Sequence, residues 1–182
     1  MFHRFFCFLK RSLLTVLLVL LLLLLAAGGW FVYQGRQLYQ SAASVTPIAT
    51  LYDTISSRTH YAAYDQLPQT FVQAVICTED EHFMTHKGID PGAIFRALLY
   101  DLRTRSLAEA LWADLRSGTL AEGGSTITQQ LAKNALFTQE KRLTRKAAEA
   151  FAAIDMEKAY SKQQIFEMYA NTIYFGNGCY GI

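Results

Sequence analysis

A mainly α-helical domain behind a single membrane-spanning helix is the fold class this sequence predicts. Three observations carry it. An uncharged, leucine-rich stretch lies near the N-terminus; apolar residues recur at three- and four-residue spacing from Gln69 onward; and helix-start signals punctuate the rest. The 182 residues suffice for one domain plus an anchor. A net charge of +2 makes no case for nucleic acid. The three cysteines, Cys7, Cys77 and Cys179, have the spacing of neither a metal knuckle nor a disulfide framework.

Residues 1–12 read as a cytoplasmic N-terminus and 13–33 as the transmembrane helix. Six consecutive leucines run from Leu20 to Leu25, and no charge occurs between Arg11 and Arg36. Such a run crosses a hydrocarbon core of about 30 Å. Arg4, Lys10 and Arg11 precede it, which keeps the N-terminus inside and places the remainder on the outer face of the membrane. Trp30, Phe31 and Tyr33 suit an aromatic belt at that interface. The competing reading is a signal peptide cut near Ala26-Ala27-Gly28-Gly29, against which the length of the leucine run argues.

Residues 34–66 read as a polar stalk over Gln34–Ser44, then a small hairpin suggested by alternation around Asp53-Thr-Ile-Ser-Ser57. Leu67-Pro68 is a break, and 67–182 form the main domain. Phe71, Val72, Val75 and Ile76 make one apolar helix face leading to Glu79. Asp90 caps the next helix, with Pro91 at its first position and Ile94, Phe95, Leu98 and Leu99 as its buried stripe. Leu107, Leu111, Trp112 and Leu115 form a second stripe among Arg103, Arg105 and Arg116. It reads either as an amphipathic helix on the core or as a flap or membrane-contacting helix, hinged at Gly118 and Gly123-Gly124. Thr126 and Gln129 form a capping box. A helix follows from Leu143 to Tyr160 with Leu143, Ala147, Phe151 and Ile154 inward. Ser161 and Gln164 cap the last, with Ile165, Met168, Tyr169 and Ile173 inward.

Four groups of residues offer chemistry. Glu79 ends an apolar helix, so partial burial would suit it to general-base work; the bland alternative is a solvated helix-end carboxylate beside Asp80 and Glu81. His82 and His86 share a helix face at i and i+4, but lack the order of a zinc motif, which favours structural hydrogen bonding. Ser125, Gln130 and Lys133 lie at or near a helix N-terminus, where free N–H groups and a point charge suit an anion; a capped helix with a solvated lysine is the alternative. Arg142, Arg145, Lys146 and Glu149 form either surface ion pairs or a cationic wall that Glu149 orients.

Taken together, these residues resemble the peptidoglycan glycosyltransferase family, glycosyltransferase family 51. Its members include monofunctional cell-wall transglycosylases and the N-terminal part of bifunctional penicillin-binding proteins. Glu79, Asp80, Phe83, His86 and Gly88 match its first motif, Gly123 to Asn134 its second, and Arg145, Lys146 and Glu149 its third. Ser161-Lys162, Ile165, Glu167, Tyr169, Asn171, Tyr174, Phe175 and Gly176 match its fourth.

The resemblance implies a lysozyme-like helical domain with a small membrane-proximal jaw. Lipid II and the growing glycan strand would be its substrates, and cell-wall synthesis or division proteins its partners. Glu79 would be the general base at the acceptor hydroxyl. The new bond would be β-1,4, with inversion at the donor C1 and release of undecaprenyl pyrophosphate. Glu149 is carried over as the second catalytic carboxylate, holding the cations. Asp80, Phe83, Ser125, Gln130, Lys133, Arg142, Arg145 and Lys146 are carried over as substrate-binding. No cofactor or protein-held metal is required, though a divalent cation is allowed at the pyrophosphate.

Two departures from the family stand out. The segment from about Arg103 to Leu120 is longer than expected. The chain also stops at Cys179-Tyr-Gly-Ile182, where family domains continue, so it reads as a truncated domain without a transpeptidase serine. Two other functions compete. A lysozyme-like glycoside hydrolase also uses carboxylates on glycans, but has no pyrophosphate for a cationic wall to bind. An inactive, truncated lipid II- or cell-wall-binding membrane protein is the third.

Overall fold

The computed structural model describes residues 2–104, 124–137 and 143–182. It divides into two compact units, Met1–Gln34 and Gly35–Ile182. The first is the body of helix α1 (Phe2–Val45). Its leucine side chains lie open, from 51% exposed at Leu20 to 70% at Leu24. Within Lys10–Val45 the most apolar stretch has a mean hydropathy of 2.6 and no burial against protein, so the helix is long and apolar enough to cross a membrane.

The second unit begins with the end of α1. The segment read as a polar stalk is unbroken helix, with Gly35 buried and Leu38, Tyr39 and Ala42 half-buried. No proline interrupts it before Pro47, and those four positions repeat at helical spacing. The expected hairpin is also absent: Ile48–Ser56 is helix α2. Leu51 and Ile55 stand one turn apart and are both buried, so the three-dimensional core selects a 3.6-residue period where alternation suggested strands.

A 3₁₀ turn at Tyr64–Gln66 leads to α3 (Gln69–Glu79), with Val72 buried as its pattern predicts. Helix α4 (Pro91–Thr104) starts where expected: the Ala93 N–H donates to Asp90 Oδ1 at 3.0 Å. Of its expected buried stripe, Ile94 is 47%, Phe95 60% and Leu99 37% exposed, and the Leu98 side chain lies outside those described. Leu107, Leu111, Trp112 and Leu115 lie outside the described residues.

Helix α5 (Ile127–Leu136) carries the Thr126/Gln129 capping box, and α7 (Lys162–Ala170) the Ser161/Gln164 box. Between them lies α6 (Leu143–Ala159). Its buried side is Arg145, Ala148, Glu149, Ala152, Ala153 and Met156; of the expected inward residues, Ala147, Phe151 and Ile154 are half-buried and the Leu143 side chain lies outside those described. A two-stranded antiparallel hairpin, β1 (Tyr174–Gly176) and β2 (Cys179–Tyr180), turns at Asn177-Gly178, both at positive φ.

The core centres on α7, buried from Ile165 to Ala170. Phe166 meets the rings of Tyr64, Phe71, Phe83 and Tyr169 at centroid distances of 6.0–6.2 Å. Burying one such side chain contributes roughly 2–3 kcal/mol. Glu167 and Asn171 then fasten the chain between α2 and α3. Glu167 accepts from the Tyr61 hydroxyl, from Tyr52 Oη at 2.9 Å and from Tyr64 N at 3.1 Å. Asn171 accepts from Ala62 N at 2.9 Å and donates to Ala62 O at 2.8 Å. Burial and these bonds push the Tyr61 hydroxyl well above the usual tyrosine range. Glu167 and Asn171, two polar residues of the fourth motif, thus satisfy backbone and tyrosine donors inside the fold.

Candidate active site

Glu79 is the last residue of α3 and is exposed, not partly buried as its apolar helix suggests. Its Oε2 accepts from Gln130 Nε2 at 2.7 Å. Gln130 Oε1 lies 3.3 Å from the Tyr169 hydroxyl, so an amide on α5, itself held from α7, orients the carboxylate. Burial first and then the charge of Glu79 push the Tyr169 hydroxyl up to about 12, which leaves it a donor at neutral pH.

Asp80 takes a different part. Its side chain is 3% exposed, and Oδ2 accepts from Ile127 N at 2.9 Å and meets His86 Nε2 at 2.8 Å. The Gly88 N–H donates to His86 Nδ1 at 3.0 Å, so His86 bears its proton on Nε2 and donates it to Asp80. Asp80 therefore pins the end of α3 to the start of α5 and sets the spacing of Glu79 and Gln130. Beneath it, Lys162 Nζ donates to Glu157 Oε1 and to His86 O, each at 2.7 Å, while Thr128 Oγ1 reaches the same glutamate oxygen at 2.6 Å.

Phe83, which the resemblance places at the substrate, sits in the core of this structure. It is 1% exposed, packed on Phe166, with Lys162 Nζ 4.6 Å from its ring centroid. A phenyl ring beside Phe166 and His86 gains more from the core than from solvent. The two histidines do not share a ligand either, since His82 Nδ1 pairs with Asp90 Oδ2 at 2.9 Å and His86 with Asp80.

The start of α5 also differs from the anion site its sequence suggests. Ile127 N is taken by Asp80, Gln129 N by Thr126 Oγ1, Thr126 N by Gln129 Oε1 and Gln130 N by Thr126 O. The capping box and Asp80 consume these donors. Lys133 lies in the last turn of the helix, away from that end. It is half-buried and has no hydrogen bond or ion pair among the described residues.

Positive charge is instead gathered on α6. Glu149 is fully buried and accepts from Arg145 Nε at 2.9 Å and Lys146 Nζ at 2.8 Å. Lys146 Nζ also donates to Ser125 Oγ at 2.7 Å. Buried Glu149 thus fixes two cations by i,i+4 and i,i+3 geometry, more firmly than an exposed ion pair would. Arg142 lies outside the described residues. Ser125 joins this row to a polar cleft of about 180 Å³, whose lining includes Glu79, Asp80, Asp90, Arg96 and Thr126. The arrangement offers an exposed, oriented carboxylate near anchored cations: proton acceptance on one side, anion stabilisation on the other.

Residues 45–109 and 101–182 match the family model described as transglycosylase. Penicillin-binding protein 1A of Aquifex aeolicus (strain VF5) is 42% identical over 133 residues, covering 72% of this chain and 16% of that protein. Penicillin-binding protein 1A/1B of Bacillus subtilis (strain 168) is 43% identical over 122 residues, covering 67% and 12%. Penicillin-binding protein 1A of Escherichia coli (strain K12) is 44% identical over 118 residues, covering 65% and 12%. The aligned part of the chain spans 16% or less of the length of these relatives. With a family match running from residue 45 to residue 182, the chain belongs to the transglycosylase family.

Proposed function

We propose that this chain carries the glycan-polymerising centre of a peptidoglycan glycosyltransferase, with lipid II and the growing strand as substrates. The exposed Glu79 carboxylate, oriented by Gln130 at 2.7 Å, is the observation that carries this reading. Glu79 takes the proton of the acceptor's 4-hydroxyl as that oxygen attacks C1 of the donor sugar. A positioned base of this kind is worth about 10²–10⁴-fold. The C1–O bond to pyrophosphate breaks on the opposite face, so the product is β-1,4-linked and undecaprenyl pyrophosphate leaves.

The leaving group gains negative charge as that bond breaks. Lys146 and Arg145, held by Glu149, offset it, and Lys133 adds a cation with no protein partner to displace among the described residues. Ser125 fixes Lys146 from the cleft side. The scheme requires no cofactor; a divalent ion would ride on the pyrophosphate oxygens. The apolar stretch of α1 supplies the anchor, with the N-terminus cytoplasmic and the domain outside. Residues 34–66 are then a helical connection rather than a stalk with a hairpin, and 67–182 the body of the catalytic domain.

The test is polymerisation of labelled lipid II by the detergent-solubilised chain beside its Glu79→Gln variant. Polymer from the parent alone, with lipid II still bound by the variant, is the expected result. Equal polymer from both removes Glu79 from the base role, and muropeptide release from intact cell wall without lipid II consumption favours a hydrolase.

A further inference from the structure

Gly35 is buried in a helix whose other glycines face open space: Gly28 and Gly29 have nothing within 4 Å of where a Cβ would stand. A Cβ on Gly35 would lie 2.4 Å from Ala147 Cβ and 3.2 Å from Ala147 C and Ala148 N. Carbon atoms in contact keep about 3.5–4.0 Å, so a methyl at 35 collides first with the Ala147 methyl and, while that methyl is present, requires α6 to retreat. Four residues on, Tyr39 continues the same seam. Its ring stacks on Phe151 at 6.5 Å and its hydroxyl donates to Asp155 Oδ2 at 2.7 Å. Ala147, Phe151 and Asp155 stand at i, i+4 and i+8, so one stripe of α6 meets one stripe of α1.

Ala147 directly follows Lys146, whose Nζ is held 2.7 Å from Ser125 Oγ and 2.8 Å from Glu149 Oε2. We propose that Gly35 is a positioning residue for the anion-binding side chains of α6: its missing side chain lets α1 seat against Ala147 and so holds Lys146 at Ser125. Hydrogen bonds weaken once stretched by a few tenths of an ångström, whereas a helix moves as a body when its packing partner grows. Enlarging residue 35 therefore displaces Lys146 and Arg145 together. This rests on the reading above, in which those cations receive the pyrophosphate.

The experiment compares the full chain with Gly35→Ala, Ala147→Gly and the double variant in detergent. It reads affinity for inorganic pyrophosphate and lipid II polymerisation, with thermal unfolding recorded in parallel. Gly35→Ala is expected to weaken pyrophosphate binding about tenfold, and Ala147→Gly on top of it to restore affinity to within about twofold, because the pair shares one contact. A merely structural glycine would shift unfolding without that reciprocal rescue of binding. A Gly35→Ala protein that binds like the parent, or a double variant as weak as the single, overturns the proposal. Should Gly35→Ala fail to fold, Tyr39→Phe interrogates the same seam without adding bulk; about threefold weaker binding supports the proposal and unchanged binding overturns it. A parent that neither binds pyrophosphate nor polymerises lipid II overturns both this inference and the function beneath it. An active parent with an unchanged Gly35→Ala variant overturns the positioning role alone.

Discussion

Gln130 Nε2 donates to Glu79 Oε2 at 2.7 Å, joining side chains 51 positions apart in the sequence. The bond fixes the direction of an exposed carboxylate that would otherwise sample several rotamers. Gln130→Leu is expected to lower polymerisation by about tenfold to a hundredfold, the scale on which a misaimed catalytic group loses rate. Lipid II polymerisation, checked against an unchanged thermal midpoint, measures it; parent-like rates would mean that Glu79 needs no orienting partner.

Lys133 and Lys146 should separate binding from stability. Lys133 has no protein partner among the described residues, so Lys133→Ala is expected to weaken donor binding and to change stability by less than about 0.5 kcal/mol. Lys146→Ala removes one of the cations on a fully buried carboxylate and should cost stability as well, on the order of 3 kcal/mol. Denaturant titration beside lipid II binding checks the pair. A large stability loss for Lys133→Ala would make it a structural lysine.

Gly88 has φ +96, and a Cβ there would lie 2.7 Å from Ala153 C. Gly88→Ala combines left-handed backbone strain with a clash against α6 and should destabilise by about 2–4 kcal/mol. Its carbonyl also accepts from Thr126 Oγ1 at 2.7 Å, so the start of α5 should loosen with it. Hydrogen exchange at residues 126–130 measures this; parent-like protection would show that the turn yields at little cost.

Asp90 supplies a pH dependence with a definite sign. Burial alone would raise its carboxyl, but the N–H groups of Ala93 and Gly92 and the His82 ring outweigh it and hold it below the usual carboxylate range. A depressed value stabilises the fold above the unfolded carboxyl's pKa of about 4 and loses that contribution as pH falls through the folded value. Asp90→Asn keeps a capping acceptor without the charge. The stability gap between parent and variant is therefore expected to narrow as pH drops below about 4, read from denaturation at a series of pH values. A gap that stays constant would assign the whole effect to the cap.

Local signals in the sequence locate much of this fold. The apolar stretch of α1, the face of α3, the Asp90 cap and the Thr126 and Ser161 capping boxes all depend on residues that are neighbours along the chain. Each is found where the pattern places it. The Asn177-Gly178 pair carries an equally local hairpin signal, and the β1–β2 hairpin turns there. The helical spacing of Gly35, Leu38, Tyr39 and Ala42 was likewise present, hidden by the polar residues between them.

By itself the sequence determined the helical class, the apolar span, the starts of α4, α5 and α7, and the family signature from Glu79 to Gly176. Only the tertiary structure decided that Ile48–Ser56 is helix, that Phe83 belongs to the core, and that Asp80 and the Thr126 cap occupy the donors at the start of α5. It also decided that Glu79 is exposed and Glu149 buried. The reason is physical. Caps and helix periods are settled by neighbours along the chain, whereas burial and hydrogen-bond occupancy are settled by partners such as Ile127 for Asp80 and Phe166 for Phe83, which the chain brings together only on folding.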